Sequence, residues 1–147
     1  MRIGTLLALG AFAVLAGCAT GGVKHADMKP SIAALKPGEG RIYFYRSRSM
    51  VGAAVQPDIK LNGAVVGTSQ PGGFFFVDRP AGNYEASSST EVERTVTFAL
   101  ATGETKYVRT SPSFGVIVGR INFQLVDRAQ AEAELSGLSY TGESAAK

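Results

Sequence analysis

The stretch Val55-Gln56-Pro57-Asp58-Ile59-Lys60-Leu61-Asn62-Gly63-Ala64-Val65-Val66-Gly67-Thr68 decides the reading of the fold. Across residues 55–61, Val55, Ile59 and Leu61 fall on one face and Asp58 and Lys60 on the other, the two-residue period of a half-buried strand. Asn62-Gly63 follows directly. Both central positions of a type I′ turn need positive φ, which Gly adopts freely and Asn tolerates, so the pair predicts a hairpin with residues 64–68 as the return strand.

The same pattern extends on both sides. Residues 41–47 alternate Ile42 and Phe44 against Tyr43 and Tyr45. Downstream, Gln70-Pro71-Gly72-Gly73 turns into Phe74-Phe75-Phe76-Val77, and Pro80-Ala81-Gly82 turns into residues 84–90. Val96, Phe98 and Leu100 alternate with Thr95, Thr97 and Ala99; Thr102-Gly103 separates them from residues 105–110. Ile117, Ile121, Phe123 and Leu125 are assigned to one face of a last strand. About seven short strands at roughly ten-residue spacing predict an all-β domain, a single antiparallel β-sandwich.

After Val126 the period changes. Asp127 is a good N-cap, Gln130 stands three residues on as in a capping box, and Ala131, Leu135 and Leu138 share one helical face. A short C-terminal helix ending near Gly137 is expected. Residues 40–138 then make the sandwich domain with its helix, and 139–147 a flexible tail.

At the other end, Arg2 precedes an apolar run over residues 3–16, which Leu15-Ala16-Gly17-Cys18 closes. This resembles the lipobox of bacterial lipoproteins. At about fourteen residues the run is short of the ~20 that span a bilayer, so residues 1–17 read as a signal peptide. The resemblance implies that Cys18 carries a diacylglyceryl thioether and an acylated amino group, with two or three chains holding the protein to the membrane. Ala19 is not the aspartate that resembles an inner-membrane retention signal, so the expected location is the cell envelope, at the outer membrane facing the periplasm. Residues 18–39, rich in Gly, Pro and Lys, read as a tether in which a single helical turn after Ser31 and a solvated His25 are expected. About twenty flexible residues reach roughly 25 Å root-mean-square.

Composition narrows the chemistry. Of 147 residues, fifteen are Lys or Arg and twelve Asp or Glu; loss of Arg2 with the signal leaves a formal balance of +2. That near-neutral charge, without a basic run, argues against nucleic acid. Cys18 is the only cysteine and His25 the only histidine. Lipidation would consume the thiol, so disulfides, thiol nucleophiles, histidine-based triads and the usual zinc sites are not expected, nor is any cofactor or metal.

The remaining constellations are sparse. Glu91 and Glu93, two apart, are expected on one strand face, beside Arg94; Glu132 and Glu134 diverge on their helix. Arg46-Ser47-Arg48-Ser49 offers guanidinium forks for an anionic headgroup or glycan carboxylate. Gly72-Gly73 and the glycines of residues 115–119 lack the Lys-Ser/Thr pair and helix of a phosphate loop. The aromatics are more informative. With Phe74 and Phe76 in the core, Phe75 faces away, as do Tyr43 and Tyr45. These three, with Arg46 at the edge, form the candidate partner-binding face, unless the tether or the C-terminal helix covers it.

Ile42-Tyr43-Phe44-Tyr45-Arg46, Leu61-Asn62-Gly63, Val66-Gly67, Pro80-Ala81-Gly82-Asn83-Tyr84 and Thr102-Gly103-Glu104-Thr105-Lys106-Tyr107-Val108 together resemble a family of bacterial lipoproteins built on a domain of unknown function. The pattern is similar to PEGA-like and prealbumin-like sandwich modules and spans about residues 40–135. These are turn and packing residues, so the resemblance implies scaffold and binding roles and transfers no catalytic residue. The expected function is a non-catalytic, membrane-anchored binding or scaffold module for an envelope protein or glycan. The alternatives are a carboxylate- or serine-based envelope hydrolase and a small-ligand carrier.

Overall fold

A computed structural model describes residues 22–142. A short helix α1 (His25–Met28) runs into a 3-10 turn (Lys29–Ser31), followed by strands β1 (Glu39–Arg46), β2 (Asp58–Leu61), β3 (Ala64–Thr68), β4 (Gly73–Pro80), β5 (Gly82–Ser89), β6 (Glu93–Leu100), β7 (Thr105–Ser113) and β8 (Arg120–Val126). Helix α2 (Arg128–Leu135) and the two-residue strand β9 (Ser139–Tyr140) are the last elements among the described residues. The strands form two sheets, ordered β8-β7-β1-β4-β9 and β3-β2-β5-β6.

The deciding hairpin folds as its sequence requires. Asn62 and Gly63 adopt φ of 49° and 84°, and β2 and β3 pair antiparallel with a shift between Ile59 and Lys60. Asp127 caps α2 by accepting the Gln130 N–H at 3.0 Å, and Ala131, Leu135 and Leu138 are buried.

Two expectations about topology are corrected. Among the described residues the sandwich has nine strands in place of about seven, and it is mixed: β7 runs parallel to β1, and β9 parallel to β4. After β4 the chain crosses to the second sheet for β5 and β6 and returns as β7 beside β1, a long connection that permits parallel pairing. Ser139 and Tyr140, read as the start of a tail, pair with Gly73 and Phe74.

β1 is buried from Gly40 to Arg46, because both faces of its sheet are covered. Ile42 and Phe44 point to the second sheet, where they join Ile59, Leu61, Phe75, Ala86, Phe98, Leu100 and Val108 in one core. Tyr43 and Tyr45 point the other way, into a second core with Phe74, Tyr107, Ala131, Leu135 and Leu138. This second core is roofed by the helices. The phenylalanine run is therefore inverted from its expected parity. Register places Phe75 opposite Phe44, and Phe74 and Phe76 opposite Tyr45 and Tyr43, and directly paired residues share a face. Gly67 on β3 is required by this arrangement: a Cβ there would come within 2.5–2.7 Å of the Phe75 ring.

The expected solvated His25 is also corrected. It is 4% exposed, its backbone N–H donates to the Leu138 carbonyl at 2.9 Å, and its ring meets Phe74 and Tyr43 edge-on at 5.1 and 5.7 Å. Arg41 fastens the following segment, donating to both Asp78 carboxylate oxygens at 2.7 and 2.8 Å and to the Ala33 carbonyl at 2.7 Å. Burial, reinforced by the Lys29 charge and opposed by Glu132, holds the His25 imidazole below its ordinary 6.5. The unfolded chain then takes up a proton near pH 6.5 that the folded chain resists, so stability from neutral His25 is lost as pH falls below 6.5 toward the folded value. Melting temperature should fall more steeply between pH 7 and 5 in the native chain than in His25→Phe, which cannot titrate. Parallel curves would show that burial of His25 is not pH-linked.

Candidate functional site

The expected contact face of Tyr43, Tyr45, Phe75 and Arg46 does not exist as a surface. The two tyrosines are 6% and 2% exposed beneath α2 and α1, and Phe75 is 3% exposed in the other core, stacked on Phe44. Tyr45 Oη donates to Glu134 at 2.7 Å, and burial with that carboxylate drives its phenol well above the usual range. Glu134 also accepts from Arg109 at 2.7 Å and Gln130 at 2.9 Å. Glu132 accepts from Lys29 at 3.2 Å and Arg128 at 3.1 Å, and from Tyr107 Oη on β7 at 3.4 Å. Both helix carboxylates thus tie the roof to the sheet.

Arg46 is 1% exposed and points inward. Its Nη1 donates to the carbonyls of Val55 at 2.6 Å and Ser69 at 3.2 Å, and its Nη2 to that of Gly52 at 2.7 Å. No carboxylate neutralises it among the described residues. The expected surface anion fork is instead a brace inside the β1–β2 loop. Arg48 alone of that pair remains exposed.

The loops that Arg46 helps to hold form the most distinctive surface of the molecule. Because β1 and β7 are parallel, with Arg46 opposite Thr110, their C-terminal ends open at the same end of the sandwich. Residues 47–57 and 114–119 therefore emerge side by side. Gly52 packs on Pro112, and Gly119 lies against Val55. The strand expected from Ile117 onward begins only at Arg120, leaving Ile117 in the loop. Met50 is 92% exposed, Phe114 91%, Val116 88%, Ile117 82%, Val51 63% and Val118 54%. Monomeric domains usually disperse such side chains, and a contiguous group marks an interaction surface.

The second loop is braced as the first is. Glu91 accepts the Val116 and Ile117 N–H groups at 2.9 and 2.7 Å and Arg120 Nε at 3.0 Å, and Thr90 Oγ1 donates to the Gly119 carbonyl at 2.8 Å. Those backbone donors, chiefly Ile117, hold the Glu91 carboxyl below the ordinary carboxylate range. Glu91 lies in the β5–β6 turn and Glu93 opens β6, so the expected pair on one strand face is also corrected: one carboxylate is a loop brace and the other a separate exposed charge.

Two concavities flank the apolar loops. One, of about 530 Å³, is lined by Val51, Val55, Pro112, Phe114, Ile117 and Val118. The other, an open cleft of about 850 Å³, is lined by Gly22, Arg48, Met50, Ala53, Gln70 and Tyr140 among others. Among the described residues no three His, Cys, Asp or Glu side chains gather as metal ligands. Nor is any described helix long and apolar enough to cross a membrane.

The family described as "Protein of unknown function (DUF2846)" matches residues 36–121, more than half of the chain. The chain belongs to the DUF2846 family. The matched stretch runs from just before β1 into β8 and includes both apolar loops, whereas α1 and α2 of this DUF2846 protein lie outside it. An uncharacterized protein of Haemophilus influenzae is 25% identical over 135 residues, covering 89% of this chain and 80% of that protein. No solved structure matches the chain. Cys18, the lipidation candidate, lies outside the described residues.

The apolar loops are hard to see in the sequence because Val116-Ile117-Val118 looks like the start of the last strand and Met50-Val51 falls between two strands with no periodic pattern of its own. The available signal was the glycine spacing, Gly115 and Gly119 around three apolar residues, which suits a turn as well as a bulged strand.

Proposed function

We propose that the chain is a bacterial envelope lipoprotein, held by lipid on Cys18, whose β-sandwich is a non-catalytic binding or scaffold module acting through its loop end. The observation that carries this reading is the braced apolar surface of residues 49–51 and 114–118, 54–92% exposed at its large side chains. A surface of that kind gains free energy only when another surface covers it. The likeness to lipoproteins and to PEGA-like and prealbumin-like modules points the same way, and Ala19 after the cysteine favours the outer membrane, facing the periplasm.

The hydrolase alternative loses support from the fate of its candidates. Hydrolysis needs convergent ionisable groups aimed at one reacting atom. Glu91 is engaged with two backbone N–H groups and Arg120, Glu134 with Tyr45 and Arg109, and Glu132 with Lys29, Arg128 and Tyr107, and neither cleft at the loop end is lined by a carboxylate. A ligand carrier needs an enclosed apolar cavity, whereas the larger cleft here is open and mixes Arg48 and Gln70 with Met50 and Tyr140, and the smaller, apolar concavity lies between the exposed loops.

Cys18→Ala tests the anchor. The native chain should incorporate labelled palmitate, lose residues 1–17 and fractionate with membranes. The variant should incorporate none and retain its leader. A normally processed and lipid-labelled variant would overturn the reading, as would a native chain recovered unlabelled.

A further inference from the structure

We infer that the apolar loops of residues 49–51 and 114–118 seat in the same membrane leaflet that holds the acyl chains on Cys18, so that the sandwich stands on the bilayer by its loop end. This rests on the lipoprotein reading above and names the lipid surface as the partner of that site.

Reach is the first argument. Gly22 lines the same cleft as Arg48, Met50 and Ala53, so the chain enters the fold at the loop end. Gly22 stands four positions after Cys18, and a fully extended chain covers at most ~3.3–3.6 Å per residue step, giving about 14 Å. The opposite end, where the Thr102-Gly103 turn meets Glu39, is a strand length away: eight residues of β1 at ~3.4 Å make roughly 27 Å. An anchor at Cys18 therefore holds Met50 and its neighbours near the headgroups and keeps the far end away from them. A soluble partner would have to displace the loops from a surface they are tethered beside.

Chemistry is the second argument. Met50, Val51, Phe114, Val116, Ile117 and Val118 suit the boundary between headgroups and acyl chains, where interfacial segments enter by about 5–10 Å. Arg48, exposed and without a carboxylate partner among the described residues, stands at the rim, where its stem can lie along apolar surface and its guanidinium meet phosphate.

The third argument is the bracing. Backbone polar groups entering lipid need partners, because no water is there to supply them. Glu91 accepts the N–H groups of Val116 and Ile117, two of the most exposed apolar residues, and Arg46 donates to the carbonyls of Gly52 and Val55. An ordinary solvent loop has no such need. These loops carry their backbone partners with them while their side chains point out.

The chain contains no tryptophan, so Phe114→Trp gives a single reporter in the loop, and Val65→Trp, on the exposed edge strand β3, a control outside the loop end. Both positions are exposed enough to accept the ring; Ile117→Trp is a second loop reporter. Each full-length variant, expressed with its native leader and purified from membranes, would be reconstituted into phosphatidylethanolamine–phosphatidylglycerol vesicles with brominated acyl chains. Seating within the ~5–10 Å interfacial depth should quench the loop reporters at least about twofold relative to non-brominated vesicles, and leave Val65→Trp nearly unchanged. Equal quenching at loop and control positions, or none in a palmitate-labelled, vesicle-bound protein, would overturn the placement and leave the anchor standing. A loop emission shift that appears only with added envelope proteins, or only as chain concentration rises, would also overturn it, in favour of a protein partner or a second copy. Protein recovered without palmitate would overturn the anchor reading, and this placement with it.

Discussion

Phe44→Ala is expected to destabilise the domain by about 3–5 kcal/mol, the combined loss of transfer free energy and the cavity left behind. Phe44 is fully buried on the central strand, stacked on Phe75 at a centroid distance of 5.2 Å, and shares its core with Ile59, Leu61 and Val108. β1 has partners on both sides and both faces, so its backbone cannot shift to refill the space. Against a total stability of ~5–15 kcal/mol, such a loss unfolds a marginal domain. Urea denaturation should show a lower midpoint at unchanged slope. Phe114→Ala is the internal comparison: at 91% exposure it should change stability by no more than about 0.5 kcal/mol. A loss below 1 kcal/mol at Phe44 would contradict the packing described here.

Arg46→Ala should cost about 3 kcal/mol, because three carbonyls lose their donor, at ~1–3 kcal/mol for each that stays buried and less for any that turns to water. Val55, Ser69 and Gly52 all accept from this one guanidinium, and its Nε finds no acceptor among the described residues. Arg46→Lys should recover little, since an ammonium lacks the planar fork that reaches several carbonyls at once. The distinctive result should lie in hydrogen exchange: faster exchange over residues 50–55 at denaturant concentrations that leave the sheets intact. Unchanged exchange there would show that the loop holds its shape without the brace.

The local rules were legible in the sequence wherever one neighbourhood decided the outcome. Asn62-Gly63 specified its turn because positive φ at two successive positions admits few residues, and Asp127 specified its cap because an aspartate oxygen reaches the N–H three residues on. The buried face of α2 followed from spacing alone. The candidate site was not legible. Alternation assigns Tyr43 and Tyr45 to one face and Ile42 and Phe44 to the other, and spacing alone does not choose between an open face and one covered by the tether and the C-terminal helix, as α1 and α2 cover it here. The run Phe74-Phe75-Phe76 is symmetric under a one-residue slip, so only pairing against β1 settled which ring enters which core. Arg46 and Glu91 look like surface charges until their acceptors and donors, supplied by distant loops, are brought to them.

By itself, then, the sequence determined an all-β chain with a capped C-terminal helix, because turn chemistry and side-chain period act over a few residues. The tertiary structure alone decided that β7 lies parallel to β1, and with it that two apolar loops meet at one end. Strand partnership depends on contacts between residues some sixty positions apart, such as Arg46 and Thr110, and nothing within either segment encodes which neighbour it will find.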